Sequence, residues 1–448
     1  MSPDTSPPRI PRLTVLRNLL RLARHPIPTF QRFIGRYGDN FILSVDKSRT
    51  THFTVSPDVV QHVMQRNHRN YEKSEVQTHE MARYLGYGLL TNSGADWLRQ
   101  RRLIQPGFHR QRMEKLSAEM QRVIAAECEQ AARNKTTDLF SFTRNTAYRI
   151  IVSAIFTDDF GDAETATFQS ILDRLQAYII NPIRLPFLRK PLRWLGIEER
   201  HLALAETSRT MLLRHIRHRR AQTGKTYDDL LQMLLDARYE DTGEGMTDEQ
   251  LVDEVLILFA AGYETSANAL AWTVWLLLKH PAELAKVQKE LVQLGSPADY
   301  GNVARLPYLT QVIRESLRLY PPAWITDRIA RGEDEVQGLT IPAGTTVGIF
   351  IYGIHRSPHL YADPDAFRPD RMQEDLIKAR HPFAYLPFGG GPRLCIGHHF
   401  ALLEMQLFLA HLLGFFRVSA AGSLPALRPV PYITLHQDQP VVVQVTRS

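Results

Sequence analysis

The sequence predicts one large domain, mainly α-helical, with a smaller β-rich portion. Three observations carry this. Apolar residues recur at helical spacing from Pro57 to about residue 320. After Pro321 the texture changes to short β-like pieces and turns, punctuated by Gly338, Pro342 and Gly344. A glycine-rich loop, Phe388 to Gly397, then leads into a last long apolar stretch.

Taken in order, residues 1–12 read as a Pro-rich arm. "LTVLRNLLRLARHP", Leu13 to Pro26, is apolar at helical spacing but carries too many cationic residues to span a bilayer. It suits a helix packed on its own domain or one lying on a membrane surface. Two β-like runs, "NFILSV" and "THFTVS", lie between Asn40 and Ser56. Helices are predicted over 57–67, 96–105, 111–134, 139–157, 164–180, 198–222, 226–238, 247–279, 281–293 and 305–319. The longest opens on the capping-box pattern "TDEQ", Thr247 to Gln250, and stops at Pro281. Asp253, Glu254 and Glu264 interrupt its apolar run, which favours a buried core helix over a membrane span. A final helix fits Gly397 to Phe415, and "VVVQVT" reads as a strand. No linker divides residues 1–448, so a single domain is expected.

With 44% hydrophobic and 23% charged residues, a chain of 448 buries a sizeable core without staples, as a soluble globular enzyme does. Two cysteines build no disulfide framework, which favours a reducing compartment. No secretory leader is visible, so a cytoplasmic location is expected. The net charge of +7 is interleaved along the chain, which argues against nucleic-acid binding and leaves room for a basic face that docks an acidic protein.

The chemistry concentrates at Cys395. Phe388, Gly391, Arg393, Cys395 and Gly397 fit F-x-x-G-x-R-x-C-x-G, a pattern that residue frequencies alone produce in roughly fewer than one in a thousand chains of this length. A metal-binding cysteine must be a thiolate. Gly389 to Gly391 allow a tight turn, and the following helix turns its positive dipole end toward the same position. Gly397 leaves space for a flat group, and the fork of Arg393 suits a carboxylate. Cys128, in "IAAECEQAA", reads instead as a buried structural cysteine. In the longest helix, "AAGYETS" places Gly262 where it costs about 1 kcal/mol relative to alanine, which suggests a close approach to the backbone. Thr265 can bond the carbonyl of Ala261, and the pair Glu264 and Thr265 can pass protons. Glu315 and Arg318 share one helix face.

These stretches resemble the cytochrome P-450 family, the haem-thiolate monooxygenases, over roughly residues 30–446. The resemblance implies that fold, with haem b between the long distal helix and the cysteine-loop helix. It makes Cys395 the axial iron ligand and places Phe388 against it. Ala261, Gly262, Glu264 and Thr265 match the distal-helix motif A-G-x-(D/E)-T. Trp97 and Arg101 of "WLRQR", together with Arg328, are implied as propionate partners. Glu315 and Arg318 match E-x-x-R, and Arg371 of "DPDAFRPDR" joins them in a structural role. Asp370 and Met372 depart from the commoner Glu and aromatic. His398 and His399 read as helix-start residues rather than metal ligands.

By position, the substrate pocket is expected at Leu85, Leu89, Leu90, Phe259, Ala260, Tyr263, Ala323, Trp324 and Ile325. These are mostly apolar and suit a hydrophobic substrate, with a long-chain fatty acid or a terpenoid or carotenoid the leading classes. Ile180 to Gly196 is expected in the entrance lid. The resemblance also implies O2 as co-substrate and electrons ultimately from NAD(P)H. No reductase module follows residue 448, so a separate ferredoxin or flavodoxin and its reductase are expected, met by a basic patch including Arg102, Arg110, Lys115 and Arg393. A monomer without a transmembrane segment, with peripheral membrane contact left open, completes the expectation. Two other readings stand beside it: a peroxide-driven peroxygenase, which the intact Glu264–Thr265 pair disfavours, and a haem sensor without catalysis.

Overall fold

The computed structural model of the chain describes residues 7–44, 50–157, 160–185, 189–222, 225 and 227–448; of residues 110 and 111 it describes the backbone alone. Half of the Pro-rich arm, residues 1–6, lies outside these residues. Two compact units form, each gathered from three separate stretches. One takes the residues up to Ser74, Arg314–Cys395 and Arg428–Asp438; the other takes Glu75–Ile313, Ile396–Leu427 and Gln439–Ser448. The two units are interleaved along the chain, so no cut at a linker would separate them.

The first unit holds the predicted β-rich portion. Its five-stranded sheet runs Asn40–Ser44, Thr50–Thr54, Thr346–Ile349, Thr326–Ala330, Tyr71–Glu72. Thr51 to Thr54 pair in parallel with Thr346 to Ile349, and the other neighbours are antiparallel. Phe41 and Phe53 face each other across the first pair and stack at 5.6 Å. Phe30 closes on Phe53 at 4.6 Å from the helix Pro26–Tyr37. That helix has proline at its first position, where the missing N–H costs nothing. Its two prolines masked it in the sequence.

The second unit is helical. The longest helix spans Asp248–Lys279, and its expected capping box is present. Thr247 Oγ1 accepts from Gln250 N (3.2 Å), and Gln250 Oε1 accepts from Thr247 N (3.0 Å). The acids that interrupt its apolar run are put to use. Asp253 accepts from Tyr87 N at 2.8 Å and Glu254 from Leu89 N at 2.9 Å, which ties the 86–91 loop to the helix. The helix predicted at 226–238 is Leu230–Asp236, because Asp229 caps it by accepting from Gln232 N at 2.8 Å. Asp229 also pairs with buried Arg219 at 2.9 Å. The final helix runs His398–Phe415, one residue inside the predicted start.

Within this unit Ser266 Oγ donates to Glu404 Oε2 at 2.7 Å, both buried. Burial raises the Glu404 carboxyl to about 8. A carboxyl whose folded pKa lies above its unfolded value stabilises fully below the unfolded value and loses that contribution as pH rises through the folded one. Wild type should therefore lose stability between pH 5 and 8 (by about 1.4 kcal/mol per pH unit at most from this group) relative to Glu404→Gln. Thermal unfolding of both proteins across that range measures the gap. Parallel profiles would show that Glu404 is ionised in the folded chain.

Candidate functional site

The cysteine loop belongs to the first unit. Cys395 N donates to the Phe388 carbonyl at 3.0 Å and Gly389 N to Leu386 O at 3.1 Å, which folds the loop back on itself. Gly391 has φ +66°, and a Cβ there would lie 1.9 Å from the carbonyl oxygen of Met64. No side chain fits that position. Cys395 is solvent-exposed at the end of the loop, whereas Cys128 is buried as expected.

A buried ionic cluster carries the chain into this loop. Arg318 grips Glu315 with two bonds of 2.8 Å, and neither side chain has any solvent exposure. Arg318 also donates to the carbonyls of His355 and Pro364, each at 2.7 Å. Arg371 lies 3.3 Å from Glu315 and donates to Ala362 O at 2.6 Å. All three residues thus meet. His355, which the sequence did not single out, extends the cluster. Its Nδ1 pairs with Arg318 O (3.1 Å) and its Nε2 accepts from Leu386 N (2.7 Å). Burial and then the Arg318 charge lower its pKa to about 3, so it is a neutral link.

Arg328 is buried on the strand Thr326–Ala330. Burial, then the neighbouring Arg393 guanidinium, lowers its pKa to about 10. Its own bonds are to the Asp327 carbonyl (2.6 Å) and the Thr326 hydroxyl (3.4 Å). A buried guanidinium beside a second cation is a donor set suited to carboxylates.

In the second unit the helix Asp248–Lys279 is buried at every position from Leu251 to Leu277 except four. Leu258, Ala261, Gly262 and Thr265 remain open, and their i, i+3, i+4, i+7 spacing makes one stripe. Three of the four had been expected. Leu258 was missed, although the spacing itself points to it. Thr265 Oγ1 donates to Ala261 O at 2.8 Å, as predicted, and Glu264 is buried behind the stripe. A Cβ at Gly262 would meet Ile151 at 3.1 Å, so a neighbouring helix, Leu139–Phe156, makes the close approach that the glycine suggested. Trp97 is buried and Arg101 partly so, one turn apart on Gly94–Ile104.

The residues expected to line the pocket divide between core and open positions. Phe259 and Tyr263 are fully buried. Phe259 packs on Phe168 at 5.0 Å, and Tyr263 donates to Asp173 at 2.9 Å. At 100° per residue they point away from the open stripe. Ala260 is buried too, its carbonyl accepting from Gln176 at 3.0 Å. Trp324 is core, edge-on to Phe350 and bonded to Tyr432 O at 3.0 Å. Leu85 is buried. Leu89, Leu90 and Ile325 stay partly open and Ala323 is exposed. The basic patch also changes. Lys115 is paired with Asp228, Arg393 is partly buried, Arg102 is exposed, and the side chain of Arg110 lies outside the described residues. In the expected lid, residues 186–188 lie outside the described set, and Arg189 and Arg193 bond Glu80 (2.6 Å) and Glu198 (3.2 Å).

The residues present fit a haem. One unit offers an exposed cysteine on a loop that admits only glycine at 391, with a buried arginine beside a second one. Residues 7–439 match the cytochrome P450 family, and the chain belongs to it. Its relatives include cyclooctatin synthase of Streptomyces melanosporofaciens, 32% identical and matched over 94% of this chain and 92% of the relative. Cyclooctat-9-en-7-ol 5-monooxygenase of the same organism is 30% identical over 96% and 91%. Pentalenene oxygenase of Streptomyces avermitilis is 29% identical over 99% and 97%. The crystal structure of the cytochrome P450DA haem domain shares the fold, with a TM-score of 0.88 at 24% identity over 98% and 97% of the two chains. The chain is thus a P450-type monooxygenase. No helix among the described residues is long and apolar enough to cross a membrane.

Gly391→Ala is expected to abolish haem retention while leaving the helical unit folded. Haem absorbance per protein, read beside far-ultraviolet circular dichroism, checks this; a variant with full haem content would show that the loop tolerates a Cβ.

Proposed function

We propose that this monooxygenase inserts one atom of O2 into an apolar terpenoid, with electrons from a separate ferredoxin or flavodoxin fed by NAD(P)H. The observation that carries the reading is the open stripe on the distal helix, which presents Leu258, Ala261 and Gly262 and only one hydroxyl. Such a surface orients a substrate by shape rather than by polar contacts. Two of the relatives named above are named for oxygenating cyclooctat-9-en-7-ol and pentalenene, which favours this class over a fatty acid.

Cys395 would hold the haem iron, and Arg328, Arg393, Arg101 and Trp97 would hold its propionates. Thiolate-ligated haem supplies O2 activation when bound. The chain's own residues supply order and protons. The hydroxyl proton of Thr265 is committed to the Ala261 carbonyl, which leaves the oxygen lone pairs free to accept a bond from a proton-bearing group on the open face. Glu264, one residue back and buried, is the nearby acid that would supply the proton that group carries.

Thr265→Ala should lower product formation roughly 10²-fold while NAD(P)H consumption falls far less, the difference appearing as released peroxide. In ligand titrations, terpenoid alcohols should shift the haem spectrum at lower concentration than long-chain fatty acids. Tighter fatty-acid binding would overturn the substrate class, and product formation unchanged in Thr265→Ala would overturn the proton route. Efficient turnover with peroxide alone would favour the peroxygenase reading.

A further inference from the structure

The helix Arg12–Arg24 has two apolar faces, and its own unit uses only one. Val15 and Ala23 are buried, and Leu22 packs partly buried on the same core. Leu13, Leu16 and Leu20 point away from Val15 and Leu22 and are 59%, 58% and 60% exposed. At 100° per residue these three fall within about 60° of one another. Arg17, Arg21 and Arg24 run along one edge of that stripe, and Arg12 flanks the other. No Asp or Glu occurs from Arg9 to Gly38. Among the described residues no carboxylate pairs with any of the four arginines. The helix dipole accounts for Arg21 and Arg24 in the last turn. It disfavours Arg12 in the first turn, so that charge serves something other than the helix.

We propose that this face docks the protein on an anionic membrane surface. The leucines enter the boundary between headgroups and acyl chains, and the flanking arginines meet lipid phosphates. A basic rim around an apolar centre matches a bilayer surface better than an acidic electron carrier, whose contact would be led by charge. The helix is too short to span a bilayer and lies along the surface. This inference stands apart from the substrate reading, since binding is measured without turnover.

The test is co-sedimentation of the full haem-loaded protein with vesicles of equimolar phosphatidylcholine and phosphatidylglycerol, against phosphatidylcholine alone. The protein should pellet with the anionic vesicles and hardly with the neutral ones, and raised salt should weaken binding. Leu13→Ser, Leu16→Ser and Leu20→Ser together should lower the partition coefficient about tenfold or more. Arg17→Gln, Arg21→Gln and Arg24→Gln together should remove most of the preference for anionic lipid. An unchanged haem spectrum controls for folding. Wild type remaining in the supernatant with anionic vesicles would overturn the proposal, as would leucine variants that pellet like wild type. Leucine variants that keep vesicle binding but lose affinity for an acidic ferredoxin would assign the face to the redox partner instead.

Discussion

The buried Glu315–Arg318 pair is the contact on which the cysteine loop depends. Two charges without solvent exposure are expensive to bury unless every donor and acceptor is met. Here they are met by the chain that leads to the loop. Arg318 gathers the carbonyls of His355, Pro364 and Ala366, and Glu315 accepts from Arg368 N at 3.0 Å. His355 then passes the constraint to Leu386, two residues before Phe388. Removing one partner would leave the other charge buried alone, a cost of about 3–5 kcal/mol. The clasp works beside the apolar core, to which Phe383 and Leu386 anchor the same stretch of chain.

Much of this was legible in the sequence. The cysteine loop, the Thr265–Ala261 bond, the capping box and the pairing of Glu315 with Arg318 follow from residue types at fixed spacing, whereas Arg371 joining that pair came only from the resemblance. Local rules suffice there, because each pattern is satisfied within one turn or by one fixed partner. What was hidden depends on partners far along the chain. Nothing near His355 announces that Leu386 will meet its ring. The burial of Arg328 beside Arg393 likewise appears only once strand and loop are folded. Glu404 was within reach, since a carboxylate between Leu403 and Leu407 on an apolar helix is a signal in itself.

The expected pocket residues divide by helix phase. Phe259 and Tyr263 were expected there by their position in the middle of the distal helix, and their large apolar side chains suit a hydrophobic substrate. They also suit a helix interface, and the helices Leu139–Phe156 and Asp162–Arg184 claimed them. Helix phase separates the two uses. The small residues Ala261 and Gly262 fix which side stays open, and Leu258 follows one turn earlier. Reading outward from the small residues, rather than from the large ones, would have located the open face.

The central claim is that Cys395 presents a thiolate to a haem iron held by the loop. The most direct measurement is the absorption spectrum of the reduced protein under carbon monoxide, for wild type and for Cys395→His. A strongly red-shifted Soret band in wild type that moves to the ordinary imidazole-haem position in Cys395→His is the predicted result. A wild-type band already at the imidazole position, or one indifferent to the substitution, would contradict the account.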